Sequence, residues 1–465
     1  MEAFQKLKRR LILGHLRRQK ADDLVRRGEK YVIPCFQTAA RKMPAYRSLL
    51  QDRGLDPSTV KDIRAFKEKV PVIDKSIFAA HPLHELCVDF DVDKIQTVIL
   101  SSGFSGNFSY SAITGRELKW QSFSVDLLLD LVFNISKKRT FFISALGQGV
   151  KVYTGVPLAE TSVRSDSVAA LIKKVGPYYD QILITSSAFF MKKIIEDGVD
   201  RGVDWKSLPV SVFFGEDWIP ESYRTYLGGI LGVDFDDPLG KWVGCSFGVS
   251  ELGLSLLQES PETIRIKRLA QKDRRLHAAL FGEGSTITPS FFYYHPSLIF
   301  VESLAGELVF TTLDKRAMSP LIRYAPGDLG RVHPYAEVKD ILTRLGYADH
   351  VPKLQNPMVS VLGRKGKDVL VNGVRATPEA VKEGLYRDLE TARATTGYFR
   401  MSGRNDRLEI EIQLRETFSP TEELKKKYID GIARFVHVDF DVTLHPYARF
   451  PYGMSLNYEN KFQYV

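Results

Sequence analysis

The stretch Leu100-Ser101-Ser102-Gly103-Phe104-Ser105-Gly106-Asn107 decides how this chain is interpreted. It continues a short apolar run with β-propensity, Thr97-Val98-Ile99. Glycines let the backbone turn tightly, so that backbone N–H groups and serine hydroxyls can point at an anion. Such a loop suits the phosphates of a nucleotide, although no Gly-Lys-Ser/Thr follows as in a Walker A loop. Taken alone, the stretch is also typical of an ordinary turn after a strand.

The composition indicates a folded protein of more than one domain. The chain has 465 residues, of which 44% are hydrophobic, and this suits a large domain with a smaller one. No apolar run approaches ~18 residues, so we expect no transmembrane helix. Leu11-Ile12-Leu13 is too short for the core of a signal peptide. The three cysteines, Cys35, Cys87 and Cys245, lie far apart, which favours a reducing cytoplasm without disulfides or a cysteine zinc site.

The net charge of +9 is unevenly distributed, with a basic segment at the N-terminus. Residues 1–30 contain ten Lys or Arg against four acidic residues. Because apolar residues recur there at roughly helical spacing (Phe4, Leu7, Leu11, Leu16), residues 1–35 are predicted to form a basic amphipathic helical segment. Its basic face is either solvated, on a helix packed on the main domain, or a docking surface for an acidic partner or a membrane. Nucleic acid is disfavoured because aromatic residues are not interleaved with the basic ones.

Strand-like and helix-like patterns alternate through much of the first 330 residues. Gln181–Thr185 and Pro209–Phe214 are predicted to be buried strands of a parallel sheet, with helices at Val168–Lys174 and Phe189–Asp197. This alternation is typical of an α/β domain. From about residue 285 the pattern predicts an antiparallel subdomain, with strands at Leu298–Val301, Glu307–Thr311 and Leu321–Tyr324.

A second domain is predicted after Gly363. A strand at Val369–Val371 leads into Asn372-Gly373, a strong signal for a tight hairpin. A helix at Pro378–Leu385 and a strand at Leu408–Ile412 follow. We therefore predict an N-terminal domain over 1–362 and a C-terminal domain over 363–465.

Four further segments carry residue types that suit a nucleotide. Gly215-Glu216 closes a predicted strand, and in open α/β sheets ligands bind at the carboxyl ends of strands. In Ser246–Glu251, a ring could stack on a purine, a hydroxyl could reach a phosphate and a carboxylate could hold Mg²⁺. Asp328, after Pro326-Gly327, could accept hydrogen bonds from both ribose hydroxyls. Gly363–Asp368 and Asn457–Phe462 contribute basic residues. Each segment alone also fits an ordinary structural role, such as a strand end, a core ring, a surface turn or a solvated lysine.

Together and in this order, the segments resemble the ANL adenylate-forming superfamily, which includes acyl-CoA synthetases, peptide-synthetase adenylation domains and luciferases. Within it the chain looks most like the phenylacetate–CoA ligase branch and its CapK-like relatives. Met43-Pro44-Ala45-Tyr46-Arg47 and Pro71-Val72-Ile73-Asp74-Lys75 are similar to that branch's opening. The resemblance covers roughly residues 40–465. It implies an α/β fold: a large N-terminal adenylate-forming domain of mixed sheets and helices with a small antiparallel β subdomain, and a small mobile α+β C-terminal lid domain.

The resemblance also implies roles for individual residues, with ATP and Mg²⁺ as the cofactors. Glu251 binds Mg²⁺, Asp328 holds the ribose with help from Arg364, and Lys461 bridges the carboxylate and the α-phosphate. The catalytic residues are thus Lys461, Ser250 and Glu251, and the ATP-binding residues are Ser101, Ser102, Gly103, Ser105, Gly106, Gly215, Glu216, Phe247, Gly248, Asp328 and Arg364. From the residue types we expect an apolar or aromatic acid in a pocket formed by Ser187, Phe189, Phe190 and Phe214, although these rings are equally typical of a protein core.

Three positions depart from the family pattern. The loop has Phe104 where Thr is usual and Asn107 where Lys is frequent, so it carries one hydroxyl and one positive charge fewer. The hinge has Gly366 where an acid is usual, and glycine permits the backbone change of a domain rotation. Asn460 replaces the usual glycine before Lys461.

The sequence therefore predicts a cytoplasmic ligase that converts a carboxylic acid to acyl-AMP and then transfers the acyl group to a thiol of coenzyme A or an acyl carrier protein. Two alternatives stay open. One is a ligase that forms an amide with an amine acceptor. The other is a nucleotide-binding homologue without ligase activity, which the departures at Phe104, Asn107 and Gly366 motivate.

Overall fold

A mixed sheet of eleven strands organises the fold. It is seen in a computed structural model that describes residues 2–465 apart from 101–107, 148–149, 216–217, 238, 284–286, 453–457 and 459–461. The strand order is β10-β11-β12-β13-β9-β8-β7-β6-β5-β3-β4. The strands are β1 (Ile95–Leu100), β2 (Tyr110–Thr114), β3 (Thr140–Ala145), β4 (Leu158–Glu160), β5 (Gln181–Ser186), β6 (Val210–Phe214), β7 (Val243–Val249), β8 (Gly253–Gln258), β9 (Ser290–Tyr294), β10 (Ile299–Leu304), β11 (Glu307–Thr312), β12 (Asp328–His333), β13 (Met358–Arg364), β14 (Val369–Val371), β15 (Val374–Ala376), β16 (Thr395–Arg404), β17 (Arg407–Leu414) and β18 (Phe440–His445).

Helices cover the sheet and make up most of the described chain before residue 81. They are α1 (Glu2–Leu16), α2 (Ala21–Lys42), α3 (Pro44–Asp52), α4 (Ile63–Lys69), α5 (Ser76–Ala80), α6 (Gly115–Phe133), α7 (Ser165–Lys174), α8 (Ala188–Asp200), α9 (Glu221–Leu231), α10 (Pro261–Lys272), α11 (Arg274–Phe281), α12 (Tyr335–Arg344), α13 (Pro378–Leu385), α14 (Leu389–Ala394) and α15 (Glu422–Ile432). Among the described residues, none of these helices has the length and apolarity needed to cross a membrane.

The sheet has a parallel half and an antiparallel half. Strands β4, β3, β5, β6 and β7 run parallel, as predicted for Gln181–Thr185 and Pro209–Phe214. All six residues of β5 are buried, because helices cover both faces of a parallel sheet. The antiparallel strands predicted after residue 285 are present at β10 and β11, and they continue the same sheet. The strand predicted at Leu321–Tyr324 is not formed. Within this segment Tyr324 alone pairs with other residues, through isolated β-bridges to Ile73 and Phe310.

The elements after Gly363 follow the predicted pattern. Strands β14 and β15 pair with Val371 opposite Val374, so the connection consists of Asn372 and Gly373 alone. Both residues have positive φ, 48° and 79°, which is the geometry that favours Asn-Gly in a two-residue hairpin. Strands β16, β17 and β18 form a separate three-stranded sheet with α15 packed on it.

This C-terminal part lies against α8 and α9 of the large sheet. Glu383 of α13 is buried, and its carboxylate accepts hydrogen bonds from the backbone N–H groups of Glu221 (3.3 Å) and Ser222 (3.4 Å) and from the Ser222 hydroxyl (2.9 Å). It therefore satisfies donors at the N-terminus of α9, which otherwise lack partners within the helix. Burial raises the pKa of Glu383. Nearby, the rings of Tyr223 and Tyr386 meet edge to face at 4.8 Å.

Candidate active site

A cavity of about 280 Å³ lies at the carboxyl edge of the parallel strands. Thr185 of β5, Phe213 of β6 and Gly215 just beyond β6 line it. This edge is where open α/β sheets bind ligands, because loops diverge there between neighbouring strands. Gly215, predicted from the sequence to lie at a ligand site, is thus at the cavity wall.

Helix α6 forms another wall of the cavity, and the sequence did not reveal this. Trp120, Gln121, Ser124 and Leu128 of α6 line the cavity, at the spacing of one helical face. The helix starts at a capping box. The Thr114 side chain accepts a hydrogen bond from the Glu117 backbone N–H, and the Glu117 carboxylate accepts one from the Thr114 backbone N–H. An unbroken amphipathic helix directly after β2 was the signal that could have identified this wall.

Strand β7 presents alternate residues to the cavity. Ser246 and Gly248 line it, as does Ser250 in the turn that follows, whereas the ring of Phe247 stacks on Phe310 at 6.0 Å. The alternation follows from the two-residue period of a strand. Ser250 and Gly248 are thus at the cavity wall, and the nucleotide-binding roles given to them and to Phe247 stay predictions.

Glu251 is buried beside the cavity and is held by Tyr324. The Tyr324 hydroxyl donates a hydrogen bond to Glu251 Oε1, and both side chains are buried. Burial, followed by the negative charge of Glu251, raises the pKa of Tyr324, so the hydroxyl stays a donor. Tyr324 is itself held in place because Ile73 N donates to Arg323 O at 3.0 Å and Ala325 N donates to Ile73 O at 2.8 Å, on either side of it along the chain. Sequence reasoning noted the Tyr324 segment only as a strand and missed this contact.

Asp328 and Arg364 form an ion pair across neighbouring strands. They are cross-strand partners of β12 and β13, with Arg364 Nε 3.1 Å from Asp328 Oδ1 and Nη2 3.3 Å from Oδ2. The Asp328 charge raises the pKa of the Arg364 guanidinium, with a smaller contribution from Glu251. Glu251, Tyr324, Asp328 and Arg364 thus form one electrostatically coupled group, and each Asp328 oxygen keeps lone pairs for a further donor.

The cavity does not include the acid pocket expected from the sequence. Phe190 and Phe214 are buried in the core cluster, and Ser187 is the N-cap of α8, accepting from the Phe190 N–H at 3.4 Å. Phe189 contacts the C-terminal part, with its ring 4.3 Å from that of Phe462. The cavity side of β6 carries Phe213, since adjacent strand residues face opposite sides of a sheet.

Several predicted residues lie outside the described part of the chain. These are Ser101, Ser102, Gly103, Ser105 and Gly106 of the phosphate loop, together with Glu216 and Lys461. Leu100, directly before the loop, lines the cavity. The roles assigned to these residues stay predictions.

Comparisons with known proteins find similarity to coenzyme A ligases in sequence and in fold. No protein-family model matches the chain. The phenylacetate-coenzyme A ligase of Aromatoleum evansii is 24% identical over 403 residues, which cover 81% of this chain and 78% of that protein. The resemblance to the phenylacetate–CoA ligase branch is confirmed by this similarity.

Solved structures confirm the fold. A 2-hydroxyisobutyryl-CoA ligase in the postadenylation state, in complex with R3-HIB-AMP, superposes with a TM-score of 0.69 at 13% identity, covering 95% of this chain and 88% of that one. The same ligase in its thioesterification state, with 2-HIB-AMP and CoA, superposes with a TM-score of 0.53 at 13% identity, covering 96% of this chain and 89% of that one. An anthranilate CoA ligase with anthranoyl-AMP gives 0.50 at 13% identity, covering 86% and 74%. The mixed α/β fold of adenylate-forming CoA ligases is therefore the fold of this chain.

Proposed function

We propose that this protein is an ATP-dependent acid–thiol ligase that works in two steps. In the first, a carboxylate oxygen of the acid attacks the α-phosphorus of ATP, and the bond to the β-phosphate oxygen breaks to release pyrophosphate. In the second, a thiol sulfur attacks the acyl carbon of the acyl-AMP, loses its proton and displaces AMP. The observation that carries the proposal is the coupled group of Glu251, Tyr324, Asp328 and Arg364 beside a cavity at the carboxyl edge of this fold.

The acid occupies the cavity walled by α6. Leu128, Phe142 and Phe213 give it apolar sides, while Gln121 and Ser124 offer polar groups within the same wall. Pockets of this kind bind ligands that are mainly apolar and are oriented by a few polar contacts. The cavity therefore supports an apolar or aromatic acid, which is the class the sequence suggested, at a position other than the predicted one.

The nucleotide binds next to it. Asp328 accepts hydrogen bonds from the ribose hydroxyls, and Arg364, paired with it, fixes the orientation of the carboxylate. Ser250 of the cavity wall donates to a phosphate oxygen or to the acid carboxylate. The loop 101–107 supplies the remaining phosphate contacts.

The residues present fit one Mg²⁺ ion that is held mainly by the phosphates of the bound substrate. Among the described residues there is no cluster of three or more His, Cys, Asp or Glu able to hold a metal. Magnesium is commonly bound through one or two carboxylates, several waters and substrate phosphates, so Glu251 alone suffices on the protein side. Tyr324 occupies Glu251 Oε1 and leaves Oε2 for the ion. Bound there, Mg²⁺ neutralises charge that builds up on the phosphate oxygens.

The C-terminal domain, 363–465, acts as a lid that supplies Lys461 in the first step. Gly366 has φ of 71°, and no heavy atom lies within 4 Å of where its Cβ would be, so it suits a hinge. Phe462 contacts Phe189 at the start of α8, which follows β5 at the cavity edge. The higher TM-score with the postadenylation state than with the thioesterification state supports placing this arrangement at the first step.

Acid-dependent release of pyrophosphate over a diverse panel of acids tests the proposal. We expect release with at least one apolar acid, a strong loss in Lys461→Ala with ATP affinity kept, and a weaker Mg²⁺ response in Glu251→Gln. The exposed Lys94→Ala and Glu68→Gln are matched controls. ATP binding without pyrophosphate release from any acid would instead identify a nucleotide-binding homologue. Mass spectrometry without CoA, in the presence of amines, distinguishes an amide-forming ligase.

A further inference from the structure

Helix α1 lies on the protein in an unusual orientation. Its buried residues are Arg9 and Leu13, which are 7% and 6% exposed. Phe4, Leu7 and Leu11 are 68%, 55% and 67% exposed. A helix on the surface of a globular protein normally turns its apolar residues inward and its charges outward. Here a charged residue faces the protein and the apolar stripe faces outward.

Buried ion pairs fix this orientation. Arg9 Nη1 lies 3.2 Å from Asp126 Oδ2, and Arg9 Nε lies 3.6 Å from Asp130 Oδ2, with all three side chains buried. If α1 were turned to bury its apolar stripe, the buried carboxylates of Asp126 and Asp130 on α6 would lose Arg9 as their ion-pair partner. Uncompensated buried charge is strongly destabilising, so the outward stripe is a fixed property of the fold.

Lys8, at the border of the stripe, connects α1 to the aromatic residues of α6. Lys8 Nζ lies 4.6 Å from the centre of the Phe123 ring, and Phe123 stacks on Trp120 at 5.8 Å. Trp120 is 45% exposed and lines the cavity. Lys8 and the half-buried Phe123 therefore lie between α1 and the exposed Trp120 at the wall of the cavity.

Basic residues flank the stripe. At 100° per residue, Phe4, Leu7 and Leu11 lie within about 60° of one another on the helix, with Lys8 on one side and Arg10 on the other. The exposed basic residues of this segment are Lys6, Lys8, Arg10, Arg17, Arg18 and Lys20. An apolar stripe between basic flanks is the pattern of helices that lie in the headgroup region of an anionic bilayer.

We propose that α1 and the exposed edge of α6, namely Phe4, Leu7, Leu11 and Trp120 with their basic flanks, bind the surface of an anionic lipid membrane. An acidic carrier protein without an apolar patch of its own would match the basic residues but would leave the apolar stripe in water. A second copy of the chain would bring two basic surfaces together. The charge and the stripe together favour lipid, and the bound protein would hold its cavity close to the bilayer. The proposal does not depend on the reaction proposed above.

Sedimentation with vesicles tests this surface on the full chain. We expect binding to vesicles of phosphatidylcholine mixed with phosphatidylglycerol, weak binding to phosphatidylcholine alone, and loss with rising salt, since screening weakens contacts between exposed charges. Replacing Phe4, Leu7 and Leu11 together by Ser, and separately Lys6 and Arg10 by Gln, should each lower the partition coefficient about tenfold or more. The matched control is Leu389→Ser, because Leu389 is 64% exposed and lies outside the proposed membrane-binding surface.

Tryptophan fluorescence reports which face is bound. Trp120 is exposed, whereas Trp205, Trp218 and Trp242 are at most 8% exposed, so brominated phospholipids should quench Trp120. Quenching should disappear in Trp120→Phe. Equal binding by the triple Ser variant and the parent would overturn the proposal, as would absence of binding to anionic vesicles. The proposal would also be overturned if the parent bound an acidic carrier protein without vesicles and the triple variant did not. Pyrophosphate release with a water-soluble acid should stay unchanged in the triple variant, which separates this proposal from the enzymatic one.

Discussion

Tyr324→Phe removes one hydroxyl group from the candidate site and leaves the ring in place. The lost hydrogen bond runs to a buried carboxylate, Glu251, and a bond to a charged group contributes about 1.5–3 kcal/mol. We expect the free energy of unfolding to fall by about that amount. If Glu251 holds Mg²⁺, its carboxylate also loses the group that orients it. Loss of such an orienting partner typically weakens metal affinity or activity about 10- to 100-fold.

Tyr110→Phe is the matched control. The Tyr110 ring contacts the same Phe78 ring, at 5.8 Å against 6.0 Å for Tyr324, but its hydroxyl donates to the backbone oxygen of His81 at 2.7 Å. This neutral hydrogen bond should be worth about 0.5–1.5 kcal/mol. We expect Tyr110→Phe to lose some stability and to keep the parent's Mg²⁺ response.

Two measurements separate the structural and the catalytic parts of this prediction. Urea unfolding of Tyr324→Phe, Glu251→Gln and the double variant gives the coupling energy between the two residues, which we expect to be about 1–2 kcal/mol. Pyrophosphate release measured against Mg²⁺ concentration should require more Mg²⁺ in Tyr324→Phe than in the parent, and no more in Tyr110→Phe. A coupling energy near zero would refute the contact. An unchanged Mg²⁺ response beside a clear coupling energy would refute the positioning role of Tyr324.

Three further predictions concern stability. Glu383→Ala leaves the donors at the start of α9 unsatisfied and should lower the free energy of unfolding by about 2–4 kcal/mol in urea, unlike the exposed Glu390→Ala. Burial lowers the pKa of His333 to about 3. The unfolded chain therefore takes up that proton first, and stability falls as the pH drops from about 6.5 toward 3, so that by pH 5 the parent should lose about 2 kcal/mol more than His333→Gln. Arg9→Met should cost about 3–5 kcal/mol and expose α1 to protease, and equal cleavage of variant and parent would contradict the buried pairs.

Local features of the sequence predicted local structure well. Asn372-Gly373 gives a hairpin with positive φ at both residues, because the side chains that tolerate this geometry are few. The strands around Ile184 and Val212 were predictable because a long apolar run must be buried.

The position of the cavity could not be derived in the same way. Strand β6 is apolar at both Phe213 and Phe214, so no alternation indicates which residue faces a ligand. The burial of Arg9 depends on Asp126, which lies 117 positions away. An isolated bridge at Tyr324 leaves no periodic pattern in the sequence. The sequence thus predicted which residue types could serve at the candidate site, while contacts distant along the chain decided their partners.

Asp126 has a consequence for how sequences of this kind can diverge. Its carboxylate binds Arg9 through Oδ2, and its Oδ1 accepts from the Thr154 hydroxyl at 2.5 Å and the Gly155 N–H at 3.0 Å. Thr154 follows Val152 and Tyr153, which line the cavity. One residue therefore joins the N-terminal helix to the pocket wall, and a substitution there changes both at once. Among homologues we expect the identities of residues 9, 126 and 154 to co-vary, so that altered acid selectivity is inherited together with altered packing of the first helix.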